Sequence, residues 1–191
     1  MKIELRKIAA VHLGYSFRSR IEAKGAGAVA VIQMKDLTDE NHVDCSGLTQ
    51  VDMDQPKAHH VARPGDLIFR SRGGTATSAI LTDDPGVAVV SAPLLRIRVD
   101  ERVVLPEYLN WFISQAPAQS YLASRATGSA PKMITKEALE SLEVFVPPLE
   151  RQRAIAGLAA LAEEEQGILR RLAAKRRQFT STVLMRMAQG E

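Results

Sequence analysis

The sequence predicts an α+β (mixed α/β) protein, with one β-rich domain that carries short helices and one long C-terminal helix. Short Val- and Ile-rich segments, separated by Gly, Pro and Asp turns, fill the middle third of the chain and are typical of strands. After Pro148 no proline follows, and good helix formers dominate to the end. We therefore expect a domain over residues 1–147 and a helix over 148–191.

The elements of the domain follow from local patterns in chain order. Pro64-Gly65-Asp66 is good turn chemistry between strands, and Thr135 is a suitable N-cap for a short helix that follows it. Residues 38–60 are polar and predict loop with short strands. Strands are predicted near the start of 3–13 and at 28–34, 67–70, 78–81, 87–90, 94–99 and 142–146. The strands at 67–70 and 78–81 are expected to pair with each other. Helices are predicted at 106–113 and 118–126.

The C-terminal helix is too long for a small domain. About 38 residues would extend roughly 57 Å, whereas a mean helix has about 11–12 residues. Its apolar side chains recur at spacings of three, four or seven, with Glu165 and Arg176 interrupting the same seam. The seam residues are Ile155, Leu158, Ala162, Leu169, Leu172, Phe179 and Val183. We expect a coiled coil with a partner helix; the alternative is a helix lying along its own domain.

Composition narrows the class of protein. The net charge is +3, and residues 150–191 carry all of it, with eight Lys or Arg against five Asp or Glu. Cys45 is the one cysteine, which excludes an internal disulfide and fits a reducing compartment. The charged N-terminus does not match a signal peptide, and no run reaches about 18 apolar residues. These features predict a cytoplasmic protein without a membrane span.

Catalytic patterns are weak throughout the sequence. It shows neither a glycine-rich cofactor loop nor a P-loop. His59-His60 is a possible ligand pair, yet adjacent histidines in a polar loop are more often solvent-exposed side chains. Cys45 lies close to His42 without a third group to orient the pair. We expect no catalytic residue, no metal site and no cofactor.

The order of several landmarks resembles the specificity subunit of type I restriction-modification systems. A Gly-aromatic pair opens the chain, and a Pro-Pro-Leu-Glu-Arg-Gln block leads through Ile155 into the long helix. The landmarks are Gly14-Tyr15, Lys35-Asp36, Pro64-Gly65-Asp66-Leu67-Ile68, Leu105-Pro106-Glu107-Tyr108-Leu109, Gly128-Ser129, Leu139-Glu140-Ser141-Leu142 and Val146-Pro147-Pro148-Leu149-Glu150-Arg151-Gln152.

This resemblance implies a DNA target-recognition domain over 1–147 that reads one half of a split target. It implies that the helix over 148–191 spaces recognition domains and docks the methyltransferase (M) subunit and, through the complex, the restriction (R) subunit. Family members usually carry two such domains and two helices, so this chain resembles a half-length form. We expect a homodimer through antiparallel helices. The alternative is a non-catalytic interaction module that binds the methyltransferase subunit through its helix.

A DNA reader presents polar side chains on rigid elements, with arginine and lysine as anchors and readers. For each residue selected here, the alternative role is a solvated surface group. Arg70 and Arg72 are expected to matter more for binding than His59 and His60, whereas Gln33 and Lys35 rank lower because they lie at a strand end. The predicted DNA-binding residues are Arg18, Arg20, Arg70, Ser71, Arg72, Gly73, Ser129 and Lys132.

Overall fold

A computed structural model describes residues 1–17, 21, 29–53, 56–73, 76–128 and 131–190. Within them the strands are β1 (Lys2–Glu4), β2 (Ala9–Leu13), β3 (Val29–Ile32), β4 (Thr49–Val51), β5 (Leu67–Phe69), β6 (Ser78–Ile80), β7 (Ala88–Val90), β8 (Leu95–Val99) and β9 (Glu143–Phe145). The helices are α1 (Pro106–Ile113), α2 (Ala116–Arg125), α3 (Lys136–Glu140) and α4 (Leu149–Gln189). Leu5–Lys7 and Met34–Asp36 form 3-10 turns. The predicted fold class is confirmed.

The strands form three sheets. The larger sheet has the order β2-β8-β5-β6 with antiparallel neighbours, and a second has the order β4-β3-β7. In the second sheet β3 pairs antiparallel with β4 and parallel with β7. The third is the antiparallel pair β1-β9, which joins the start of the chain to the segment before α4. The predicted pairing of β5 with β6 is confirmed, with Leu67 opposite Ile80.

One apolar cluster joins the two larger sheets. Every residue of β3, β5, β6 and β7 is buried, which explains why β3, β5 and β7 are continuous apolar runs rather than alternating ones. Ile32 and Val90 from the second sheet pack in the same cluster as Ile68 and Ala79 from the first. The core is thus made from residues that lie far apart in the sequence.

A buried ion cluster fastens the Pro64-Gly65-Asp66 turn to β8. Asp66 is 1% exposed and accepts two hydrogen bonds of 2.7 Å from Nε and Nη2 of Arg98. Arg96 is 3% exposed, its Nη1 lies 3.4 Å from each Asp66 carboxylate oxygen, and burial lowers its pKa. Arg96 also donates to the backbone oxygen of His59 at 3.1 Å. The acidic residue of this turn is therefore structural.

The first turn of α4 is held in the domain by one amide. Gln152 is fully buried, and its Oε1 accepts from the backbone N–H of Leu105 at 2.9 Å. Its Nε2 donates to the backbone oxygens of Val103 and Pro147 at 2.9 and 2.8 Å. The chain divides into compact units at Met1–Arg153 and Ala154–Glu191, and Gln152 belongs to the first of them.

The unit that begins at Ala154 is a single helical segment whose described side chains are largely exposed. Leu161 and Ile168 lie one residue before seam positions and widen the apolar stripe that the sequence predicts. The large exposed apolar residues of this segment are Leu158, Leu161, Ile168, Leu169, Leu172, Phe179, Val183, Leu184, Met185 and Met187. In the described part of the chain, none of the helices combines the length and the apolar character that a membrane span requires.

Candidate nucleic-acid interface

Four segments meet at one edge of the domain, where β2, β3, β5 and β7 end. We call residues 14–17, 33–37, 70–73 and 91–94 the loop edge. Tyr15 N–H donates to Val90 at 2.7 Å, and Ser91 Oγ donates to the backbone oxygen of Ile32 at 2.9 Å. Gly14 allows this approach, since a Cβ there would lie 2.5 Å from the backbone of Ser91. The loop edge is therefore a platform of hydrogen-bonded segments that follow β2 and the buried strands β3, β5 and β7.

Two of the predicted DNA-binding residues hold this platform together. The guanidinium of Arg70 donates to the backbone oxygens of Leu37 and Thr38 at 2.9 and 2.8 Å and to Thr77 Oγ1 at 3.0 Å. Burial lowers the pKa of Arg70. Ser71 is buried and its hydroxyl donates to the backbone oxygen of Pro93. Both side chains thus tie neighbouring segments of the loop edge to one another.

The loop that carries Lys132 is attached to the same platform. Thr127 and Met133 exchange backbone hydrogen bonds of 2.9 and 2.8 Å, and Met133 also forms a β-bridge with Arg72. The backbone N–H of Ile134 donates to Ser71 at 2.7 Å. The chain therefore places residues 127–128 and 131–134 beside residues 70–73.

These two loops line a cavity of ≈ 220 Å³. It brings together the predicted residues Arg70, Ser71, Gly73 and Lys132, with Gln119 of α2 on the same wall. Gly73 and Lys132 are exposed, as is Arg72 between Ser71 and Gly73, and Gly73 has φ +130, where a side chain would be strained. Arg18, Arg20 and Ser129 lie outside the residues that the structure describes. The DNA-contact role of all eight residues stays a prediction.

A second cavity at the loop edge has a volume of ≈ 540 Å³. Gln33 and Lys35, which the sequence ranks low, are on its wall, and Phe17 and Thr49 were not selected at all. Gln33 and Lys35 could have been ranked higher from the sequence, because they directly follow the buried strand β3. Polar residues at the ends of neighbouring strands lie close together at one edge of a sheet. The lining residues are Ser16, Phe17, Ile21, Gln33, Lys35, Thr49 and Ala92.

His12, His59 and His60 form an aromatic cluster that contacts Tyr15 of the loop edge. His60 meets Tyr15 edge-on at 5.4 Å and lies 4.1 Å from His59, ring centre to ring centre. Burial lowers the pKa of both His60 and His12, so each favours its neutral form.

Within the described ranges, no group of three acidic, histidine or cysteine side chains is placed to hold a metal ion. Cys45 is half-buried and burial raises the pKa of its thiol, which disfavours the thiolate.

Arg72 is expected to be the more direct DNA contact of the two arginines, because Arg70 is committed to internal oxygens. Arg72→Ala should weaken binding to a selected duplex by about 1–3 kcal/mol if the guanidinium makes a bidentate base contact. His59→Ala is the control, since His59 is also exposed and the sequence ranks it below the two arginines. Fluorescence anisotropy on one duplex compares the two variants. Equal affinity of Arg72→Ala and the parent would reject Arg72 as a base reader.

The comparisons with known proteins agree with this architecture. The model of the family "Type I restriction modification DNA specificity domain" matches residues 1–159. Among curated proteins, no sequence matches this chain.

Solved structures share the fold at low sequence identity. A chain from work on complex assembly and conformational transition of the type I R-M system matches with TM-score 0.70 and 19% identity, covering 92% of this chain and 41% of that one. The HsdS subunit from Thermoanaerobacter tengcongensis matches with TM-score 0.63 and 21% identity, covering 90% of this chain and 39% of that one. The S subunit of the type I restriction-modification system from M. genitalium matches with TM-score 0.56 and 12% identity, covering 86% of this chain and 39% of that one.

The chain thus spans about two-fifths of the length of these solved relatives. The solved relatives share the fold of this chain, and the family model covers most of its sequence. The chain belongs to the type I restriction modification DNA specificity domain family.

Proposed function

We propose that this chain is a sequence-specific DNA-binding specificity subunit of a type I restriction-modification enzyme, that its domain reads one half-site with the loop edge, and that it pairs with a second copy through α4. The chain itself carries no catalytic step. It docks the methyltransferase subunit, which supplies the chemistry. Its family membership and the loop edge are the observations that support this function.

The single observation that carries the proposal is the convergence of Arg72, Gly73 and Lys132 on one rigid edge. Exposed cations anchor a protein on DNA phosphates, whereas the sequence is read by side chains held against base edges. Arg70 and Ser71 fix the segment that presents these residues. A glycine with a positive φ beside two exposed cations lets the backbone approach a phosphate closely.

Pairing through α4 is supported by the symmetry of its seam. A two-fold axis between residues 170 and 171 of two antiparallel copies would place Leu169 opposite Leu172. It would also place Glu165 of each copy opposite Arg176 of the other, so that the two interrupting charges neutralise each other. In the same register Ala162 meets Phe179 and Leu158 meets Val183, pairing small with large and apolar with apolar. A parallel pair would instead stack Glu165 on Glu165.

The second candidate function is an interaction module that binds the methyltransferase subunit through α4 and reads no DNA. The long exposed apolar stripe of α4 is the observation that favours it. The two functions share the helix and differ at the loop edge. They are therefore distinguished by whether the sequence of the DNA matters to the assembled complex.

Reconstitution tests the proposal. The purified chain with magnesium and S-adenosylmethionine should leave DNA unmethylated and uncut, whereas adding the methyltransferase subunit of the same system should give methylation at one recurring motif. The subunit without the chain is the control and should show no motif. A complex that forms but methylates no particular sequence would favour the interaction module. Methylation or nicking that co-purifies with the chain alone would contradict the non-catalytic role.

A further inference from the structure

The second cavity of the loop edge contains a hydroxyl with a defined direction. Thr49 lies in the edge strand β4, and its Oγ1 accepts a hydrogen bond from Gln33 Nε2 at 2.9 Å and another from Lys35 Nζ at 3.2 Å. A threonine hydroxyl has two lone pairs and one proton. Since both lone pairs are occupied, the hydroxyl of Thr49 can act toward a ligand only as a donor.

Lys35 adds further donors beside that hydroxyl. Its side chain is 59% exposed, and its ammonium has three N–H groups, of which the bond to Thr49 uses one. The polar hydrogens that Lys35 and Thr49 present to the cavity therefore call for hydrogen-bond acceptors. A ligand of this pair needs two acceptors close together.

The local charge argues for a neutral acceptor rather than a phosphate. The carboxylate of Asp36 lies 3.9 Å from Lys35 Nζ and is only 7% exposed, so it offsets part of the ammonium charge without reaching solvent. The backbone N–H of Gln33 donates to it at 2.7 Å. Phe17 and Ile21 add half-buried apolar groups to the same cavity wall, where a base edge is better accommodated than a hydrated anion.

We propose that Lys35 and Thr49 together read the major-groove edge of one guanine in the half-site. Guanine presents O6 and N7 as adjacent acceptors there, which is the pattern that two converging donors match. Gln33 acts as a positioning residue, since its amide holds the Thr49 hydroxyl. This assignment rests on the proposed DNA-reading function and gives it one base-specific contact.

The test measures the affinity of Lys35→Ala and Thr49→Val for the duplex selected by the parent and for its single-base variants. Both variants should lose about tenfold to a hundredfold in affinity for the parent duplex, the range expected of one base contact. They should also lose discrimination at one guanine and keep it at the other positions. Thr49→Ser retains the hydroxyl and should restore the preference. Lys7→Ala is the matched control, because Lys7 is also exposed and lies 3.8 Å from Glu4.

Three results separate the possibilities. Weaker binding to every duplex alike, with a salt slope reduced by about 1, would identify a phosphate contact and overturn the guanine assignment. Unchanged preference in Lys35→Ala would overturn it as well, and this exposed residue can be replaced even if Thr49→Val does not fold. A parent that prefers no duplex at all would overturn the DNA-reading function and this inference with it.

Discussion

Replacing Asp66 with alanine is expected to lower the free energy of unfolding by about 3–5 kcal/mol. The carboxylate is the counterion of Arg96, which is buried and has an Nε without a partner in the described structure. Its removal leaves the buried guanidinium charge of Arg96 uncompensated, and Arg98 loses both of its hydrogen bonds to the carboxylate. It also removes the acceptor for the backbone N–H of Arg63, 2.9 Å away, which closes the turn. Urea denaturation at pH 7 measures the change.

Asp100→Ala is the matched control for this prediction. Asp100 also pairs with an arginine, Arg102, at 2.8 Å, but the side chains are 37% and 89% exposed. Exposed ion pairs contribute about 0–1 kcal/mol because water and salt screen them. A loss for Asp66→Ala no larger than that for Asp100→Ala would show that the ion cluster is not a main support of the domain.

The second large effect is expected on the self-association of α4. Replacing Leu172 and Phe179 with aspartate would bury four carboxylates in the symmetric pair, each costing on the order of several kcal/mol. The dissociation constant should therefore rise at least about a hundredfold, leaving a monomer at micromolar concentrations. Gln178→Asp is the control, since it adds a carboxylate at a position outside the seam. Light scattering across a concentration series gives the masses.

The register of the pair is tested by exchanging its two interrupting charges. Glu165→Arg should weaken association because it faces Arg176 with a like charge, and Arg176→Glu should do the same with Glu165. The double variant restores opposite charges in the antiparallel register and should recover most of the affinity. A double variant weaker than both single ones would reject this register. A parent that is monomeric at every concentration would reject self-pairing altogether.

Local elements could be read from the sequence because their signals lie within a few residues. The continuous apolar runs predicted β3, β5 and β7, and the proline-free tail predicted α4. Thr135 was expected as an N-cap, and its hydroxyl does accept from the backbone N–H of Ala138 at 3.1 Å. Each of these depends on short-range chemistry, which a single sequence contains.

Relations between distant residues could not be read in the same way. Arg96 and Arg98 alternate with apolar residues, a pattern that would also fit a solvated strand face. They are instead paired with Asp66, which lies about thirty residues away in the sequence. The partners of Arg70 and Ser71, at Leu37 and Pro93, are similarly remote. The loop edge therefore depends on the packing of the two larger sheets against each other, which brings the ends of β3, β5 and β7 together.

Sequence reading by the domain is tested most directly by selection from a random pool of DNA duplexes, in which the duplexes that the isolated chain retains are sequenced. We expect one short motif, present as two inverted copies at a constant separation, because an antiparallel helix pair would hold two loop edges in a fixed relation. Affinity for it should fall with added salt by about 0.9 logarithmic units per decade for each phosphate contact. Retained duplexes without any common motif, at salt concentrations where the chain still binds, would contradict sequence reading by this domain.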